Sequence, residues 1–148
     1  MKKLILSLAF VLLTGIIFGQ TFEKVEKGNL VGVHAIAVHP NPDVTENEFM
    51  EYFRDKLIPA YEENFPGLKI YLTVGERGEY ASGAENGVVY GLFFVFDSIE
   101  TRNKYWPEMD VSSELAQQNF ENFSEITAGL NQLGYWTTIN HTDWIIIE

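Results

Sequence analysis

The sequence predicts an α+β domain whose elements run strand, helix, strand, strand, helices, strand. Three stretches carry that expectation. Val31 to His39 is apolar, rich in valine and isoleucine, and closes on His39-Pro40-Asn41-Pro42. Phe49, Phe53, Leu57 and Tyr61 recur every four residues, the spacing of one helical face. Val88 to Phe96 is apolar at odd and even positions alike, as expected of a central strand covered on both sides.

The first strand ends where it does because prolines cannot continue a sheet ladder. The helix after it opens on a capping box, Thr45 with Glu48, and on Val44 packed against Phe49 as a hydrophobic staple. Pro59 removes the hydrogen bond to the carbonyl of Asp55, so a kink or break is expected there. Pro66-Gly67 ends the element. Lys69 to Val74 alternates Ile70, Leu72 and Val74 with Tyr71 and Thr73 and reads as the second strand. Gly75, Gly78, Gly83 and Gly87 punctuate the link to Val88; without a following Gly-Lys-Ser/Thr they do not form a phosphate loop. Ser98 caps a short helix that ends near Trp106-Pro107. Ser112 or Ser113 caps a longer one, striped by Ala116, Phe120, Phe123, Thr127, Leu130 and Leu133 and stopped by Gly134. Trp144 to Ile147 is the expected last strand.

The close succession of the second and third strands makes them an antiparallel hairpin, and each helical stretch crosses between strands. Four antiparallel strands with helices on one face make the ferredoxin-like βαββαβ plan, here with an extra helix in the second crossover. Its other face has no helical cover. Because Val88–Phe96 is apolar on both faces, a second copy of the chain is the simplest cover for it.

Composition sets the outer bounds. Lys2 and Lys3 precede an almost wholly apolar run from Leu4 to Phe18, with Gly19-Gln20 after it, the order of a secretory signal. Residues 1–19 are therefore expected to be a signal peptide, 20–30 a tether, and 31–148 the domain, in an exported protein of the periplasm or the medium. The apolar run falls short of the ~20 residues a bilayer span needs, so no stable membrane association is expected after cleavage. Loss of Lys2 and Lys3 takes the net charge from −11 to −13, which argues against nucleic acid as a partner. With no cysteine in the chain, no disulfide holds the fold.

Val33 to Tyr61, the Pro66-Gly67 turn before a strand, and Phe94-Val95-Phe96-Asp97-Ser98 running into Tyr105-Trp106 resemble the dimeric α/β-barrel superfamily, of the antibiotic-biosynthesis-monooxygenase type. The likeness spans nearly the whole mature chain, through motifs that mostly describe the fold. It implies two ferredoxin-like protomers packed sheet to sheet as a homodimer, each with a ligand pocket between sheet and helices. The superfamily holds cofactor-independent monooxygenases, haem-degrading enzymes, muconolactone isomerases and stress proteins. The pocket tryptophan of the haem-degrading branch falls at Tyr105 or Trp106, and its axial histidine near Asn119, where asparagine cannot ligate haem. A histidine that another branch places before the helix proline falls at Leu57 or Ile58. The resemblance therefore implies no cofactor.

Histidine is the usual acid or base near neutral pH. His34 and His39 are the candidate catalytic residues; their odd spacing along a strand turns them to opposite faces. Either can equally be a hydrogen-bonded core or interface residue. His141 lies before the expected last strand and reads as exposed. Tyr71, Tyr90 and Trp106 are the candidate ligand-binding residues, with Ala35, Ala37 and Gly91 small enough to leave room for a flat ring. Aromatic stripes of this kind also serve simply as packing. No metal site is expected, since His-x-His, His-Glu-x-x-His and cysteine are all missing. The expected function is binding of a small apolar or phenolic ligand, with cofactor-independent oxygenation or isomerisation as its chemistry. A non-catalytic dimeric binding or stress-type module is the alternative.

Overall fold

The computed structural model describes residues 25–79, 89–108 and 111–148. The expected signal segment and the start of the tether lie outside these, as do Val88 and the glycines at 83 and 87. Four strands form one antiparallel sheet: β1 (Leu30–Pro40), β2 (Leu68–Val74), β3 (Val89–Phe96) and β4 (Gly134–Ile145), in the spatial order β2-β3-β1-β4. Between β1 and β2 lie α1 (Glu46–Tyr52), a π-helical turn (Phe53–Leu57) and α2 (Ile58–Asn64). Between β3 and β4 lie α3 (Ile99–Tyr105), α4 (Glu114–Asn122) and α5 (Ser124–Leu133). This is the ferredoxin-like plan with additional helix in the second crossover.

The helix starts follow their capping signals. The Glu48 amide donates to Thr45 Oγ1 at 3.2 Å, and the Glu48 carboxylate accepts from the Thr45 amide at 2.8 Å. Ser98 and Ser113 cap α3 and α4 through their side chains. Pro59 does not break its helix outright. The chain instead widens one turn earlier, the Ile58 amide reaching back to the carbonyl of Phe53, and α2 then restarts. The expected helix from Ser113 to Leu133 is two helices. Phe123 leaves helical geometry to enter the core, and the Ser124 hydroxyl takes up the carbonyl of Glu121 at 3.0 Å, a local bond that competes with the helix ladder.

The last strand is far longer than Trp144–Ile147. It starts at Gly134, because Tyr135-Trp-Thr-Thr-Ile139 is itself a run of aromatic and β-branched residues. Its pairing with β1 shifts between Ala35 and Ile36: Ile36 faces Thr138 and Ala35 faces Asn140, which leaves Ile139 as an extra residue. Such a bulge reverses the alternation of facing beyond it. Trp136 and Thr138 face the helices before the bulge; His141 and Asp143 do so after it.

The core lies between the helices and one face of the sheet, with Ile36, Leu68, Ile70, Leu92 and Phe96 from the strands and Phe49, Phe53, Leu57, Phe65, Phe123 and Leu130 from the helical side. Val31, Ala37 and Val89 are also buried but stand outside that cluster, on the opposite face. On that face, Tyr135 and Trp144 remain 57% and 60% exposed.

Candidate functional site

Between the helix-facing side of β1, β3 and β4 and the helices α2, α3 and α4 lies a cavity of about 200 Å³. One wall is aromatic. Tyr61 from α2, Phe120 from α4, Phe94 and Phe96 from β3, and Trp106 just after α3 line it. Their positions come from a ring cluster around Phe65, which stacks on Trp106 at 5.0 Å and on Tyr61 at 5.6 Å, centroid to centroid. Burial pushes the Tyr61 phenol up to about 12, so it stays protonated at neutral pH as a hydrogen-bond donor.

The other wall is polar and comes from the sheet. His34 on β1 pairs in register with His141 on β4, and their imidazoles stack with centroids 5.0 Å apart and planes 9° apart. Two residues along, on the same face, Gly32 faces Asp143. Asp143 Oδ2 lies 2.8 Å from Arg102 Nη2 on α3, an ion pair with only 14% of the arginine side chain exposed. Arg102 also donates to the carbonyl of Trp106. Its guanidinium thus ties the end of α3 to β4, across the mouth of the two walls. A stacked imidazole pair, a half-buried ion pair and flat aromatic surfaces therefore meet in one small space. That set can bind a planar ring, exchange a proton with it and hold a negatively charged oxygen.

Of the residues singled out from sequence, His34 and Trp106 share this cavity. His39 does not. It faces the opposite side of the sheet, where its ring stacks on Tyr135 at 4.6 Å and its Nε2 lies 3.0 Å from Thr137 Oγ1. Tyr71 is also on that side, beside Lys69, Val95 and Asp97 in a second cavity of about 400 Å³. Among the described residues no histidine lines that second space, so they bring to it no group that ordinarily titrates near neutral pH. Tyr90 faces the helices at the far end of β3. Burial, reinforced by a 2.5 Å bond from its hydroxyl to Glu46 Oε1, pushes its phenol up to about 12. Asn119, near which the resemblance would put a haem-ligating histidine, donates instead to the Asn64 carbonyl at 2.6 Å, on α2.

Arg102, His141 and Asp143 escaped the sequence reading. His141 was expected to be exposed in a turn; it lies within β4, half-buried against His34. The strand signal at Tyr135–Ile139 could have placed it on a strand. Its facing depends on the bulge, which leaves no mark in composition. Among the described residues, no group of three or more His, Asp or Glu side chains is placed to hold a metal ion.

The sequence matches no family profile and no curated protein. Solved structures similar to the chain include the following two. SnoaB, a cofactor-independent oxygenase from Streptomyces nogalater, is 15% identical, with 82% of this chain and 95% of that one covered and a TM-score of 0.44. An EthD-like protein from Ralstonia eutropha is 14% identical, with 83% and 96% covered and a TM-score of 0.46.

Proposed function

We propose that the chain binds a small, flat, phenolic or enolisable molecule in the cavity between His34 and Trp106, and acts on it by removing a proton without a bound cofactor. The observation that carries this is the pairing of an aromatic wall with a stacked histidine pair across one small cleft. At about 200 Å³ the cavity is below the roughly 300–1,000 Å³ of pockets for drug-sized ligands, so it suits one or two fused rings. The ring lies against Trp106 and Phe120. Its hydroxyl or acidic C–H gives a proton to His34, and the electron pair left behind spreads onto a ligand oxygen. Return of the proton at another carbon completes an isomerisation. Reaction of the same anion with dioxygen, converting a ring CH₂ to C=O with release of water, completes an oxygenation.

The test is binding of 1-naphthol and 5-hydroxy-1,4-naphthoquinone, whose phenols are protonated at neutral pH, followed by thermal unfolding and, for the quinone, by its absorption spectrum. At a ligand concentration about 100-fold above Kd, binding stabilises the fold by about 2.7 kcal/mol. We expect His34→Ala to abolish the spectral change of the quinone, and Trp106→Phe to weaken binding several-fold. A wild type that neither compound stabilises, or a His34→Ala variant that binds both unchanged, would exclude the proposal and favour a non-catalytic module.

The same proposal includes a homodimer built on the sheet face away from the helices. Tyr135 and Trp144 project there, an apolar surface that association would cover. Light scattering at micromolar concentration is expected to give about twice the mass of one chain, and Trp144→Glu to return it to a single mass. A wild-type monomer at that concentration removes the dimer from the proposal and leaves the cavity untouched.

A further inference from the structure

We infer that Asp143, held in place by Arg102, is a positioning residue for His34: it orients the imidazole and stabilises the positive charge that forms when His34 takes a proton. The inference rests on His34 being the proton acceptor proposed above, and it adds the group that would make it one.

Three features of the fold converge on this. Arg102 occupies one carboxylate oxygen of Asp143, Oδ2, and is itself fixed by its bond to the Trp106 carbonyl. The other oxygen is turned to β1: Oδ1 lies 3.0 Å from the point where a Cβ on Gly32 would stand, and His34 Nε2 lies 3.4 Å from the same point. The two groups are thus at most about 6.4 Å apart, close to the range in which an opposite charge favours the charged form of a titratable group. Glycine at position 32 leaves that space unfilled; any other residue would place a side chain between or against them. Finally, the bulge at Ile139 is what turns Asp143 to the cavity side at all.

The charges around His34 give the sign. His141 stacks on it from β4, Arg102 reaches in from α3, and the Tyr61 phenol lines the same cavity from α2, neutral until far above pH 7. Protonated His141 and Arg102 both oppose an imidazolium at position 34. Among the described residues lining the cavity, Asp143 alone favours it. Removing the Asp143 charge takes that attraction away, and the His34 midpoint falls.

The experiment needs no ligand: the imidazole Cε1–H signals of the purified protein are followed by NMR against pH, with His34→Gln and His141→Gln identifying the two rings. Asp143→Asn is expected to lower the midpoint of His34 by about one unit or more. Arg102→Lys, which keeps the charge and loses the planar fork, should give a smaller displacement. Asp97→Asn, on the far side of the sheet, should leave it unmoved. Gly32→Ala, which wedges a methyl group between Asp143 and His34, should lower the midpoint as well, and decides the matter if Asp143→Asn does not fold. A His34 midpoint that stays within about 0.3 unit of wild type in the folded Asp143→Asn or Gly32→Ala variant overturns the inference. A failed ligand screen with an intact titration linkage would instead count against the proposed substrate class alone.

Discussion

Replacing Phe65 with alanine is expected to cost about 3–5 kcal/mol of folding stability, the range for a fully buried phenylalanine cut back to a methyl group. Phe65 is 0% exposed and stands at the centre of the aromatic cluster. Within 6.3 Å of its ring centroid are the rings of Tyr61, Tyr105, Trp106, Phe120 and Phe123. These come from α2, α3, α4 and the segments beside them, so no single element can move in to fill the void. Trp106 loses the surface it stacks on, which couples the core to the cavity wall. Chemical denaturation should show the loss directly, with Phe65→Leu costing about 1 kcal/mol because most of the volume is kept. A Phe65→Ala protein within about 1 kcal/mol of wild type would mean that the cluster is not the core's organising centre.

Gly134→Ala is expected to destabilise by about 3 kcal/mol, through two separate causes. Its φ of +154° lies where L-residues are strained, and a Cβ there would collide with the backbone carbonyl oxygen of His39 and sit 2.8 Å from Pro40 Cα. Neither obstacle is a side chain that can swing away. The chain turns at this residue from α5 directly into β4, opposite Pro40 at the end of β1. Gly28→Ala separates the two causes. Gly28 has φ +93°, and no described atom lies within 4 Å of where its methyl group would stand, so it carries the conformational penalty without the collision, about 1–2 kcal/mol. Equal melting temperatures for the two variants would show that the backbone of β1 gives way to the Gly134 methyl.

Much of the fold was legible because its signals are local. The capping box at Thr45 and Glu48, the caps at Ser98 and Ser113, and the alternation in Lys69–Val74 each act within a few residues, and each appears as expected. The odd spacing of His34 and His39 also fixed their opposite facing, since β1 runs without an extra residue of its own. The errors arose where long-range pairing decides. Phe123 breaks a helix because the ring cluster draws it in, and β4 extends to Gly134 because β1 is there to pair with it. The cavity was the hardest part to read. Arg102 belongs to a helix 41 residues from Asp143, and nothing near either residue announces a partner. Tyr71 and Tyr90 looked equivalent to Trp106 by residue type, yet one faces the opposite side of the sheet and the other is engaged by Glu46.

The extra residue in β4 also records a choice between competing demands. Were β4 regular through Ile139, strict alternation from Thr138 would carry Asn140, Thr142 and Trp144 inward and His141 and Asp143 outward. Hydrophobic burial alone selects that alternative, since it brings a tryptophan into the protomer's interior and releases two ionisable groups to water. The chain adopts the opposite arrangement: the indole outside, a histidine and an aspartate within. Arrangements that forgo stability to keep polar groups indoors are characteristic of surfaces under selection for what they do. Among the described residues, the extra residue at Ile139 is what keeps the indole outside and the two ionisable groups within.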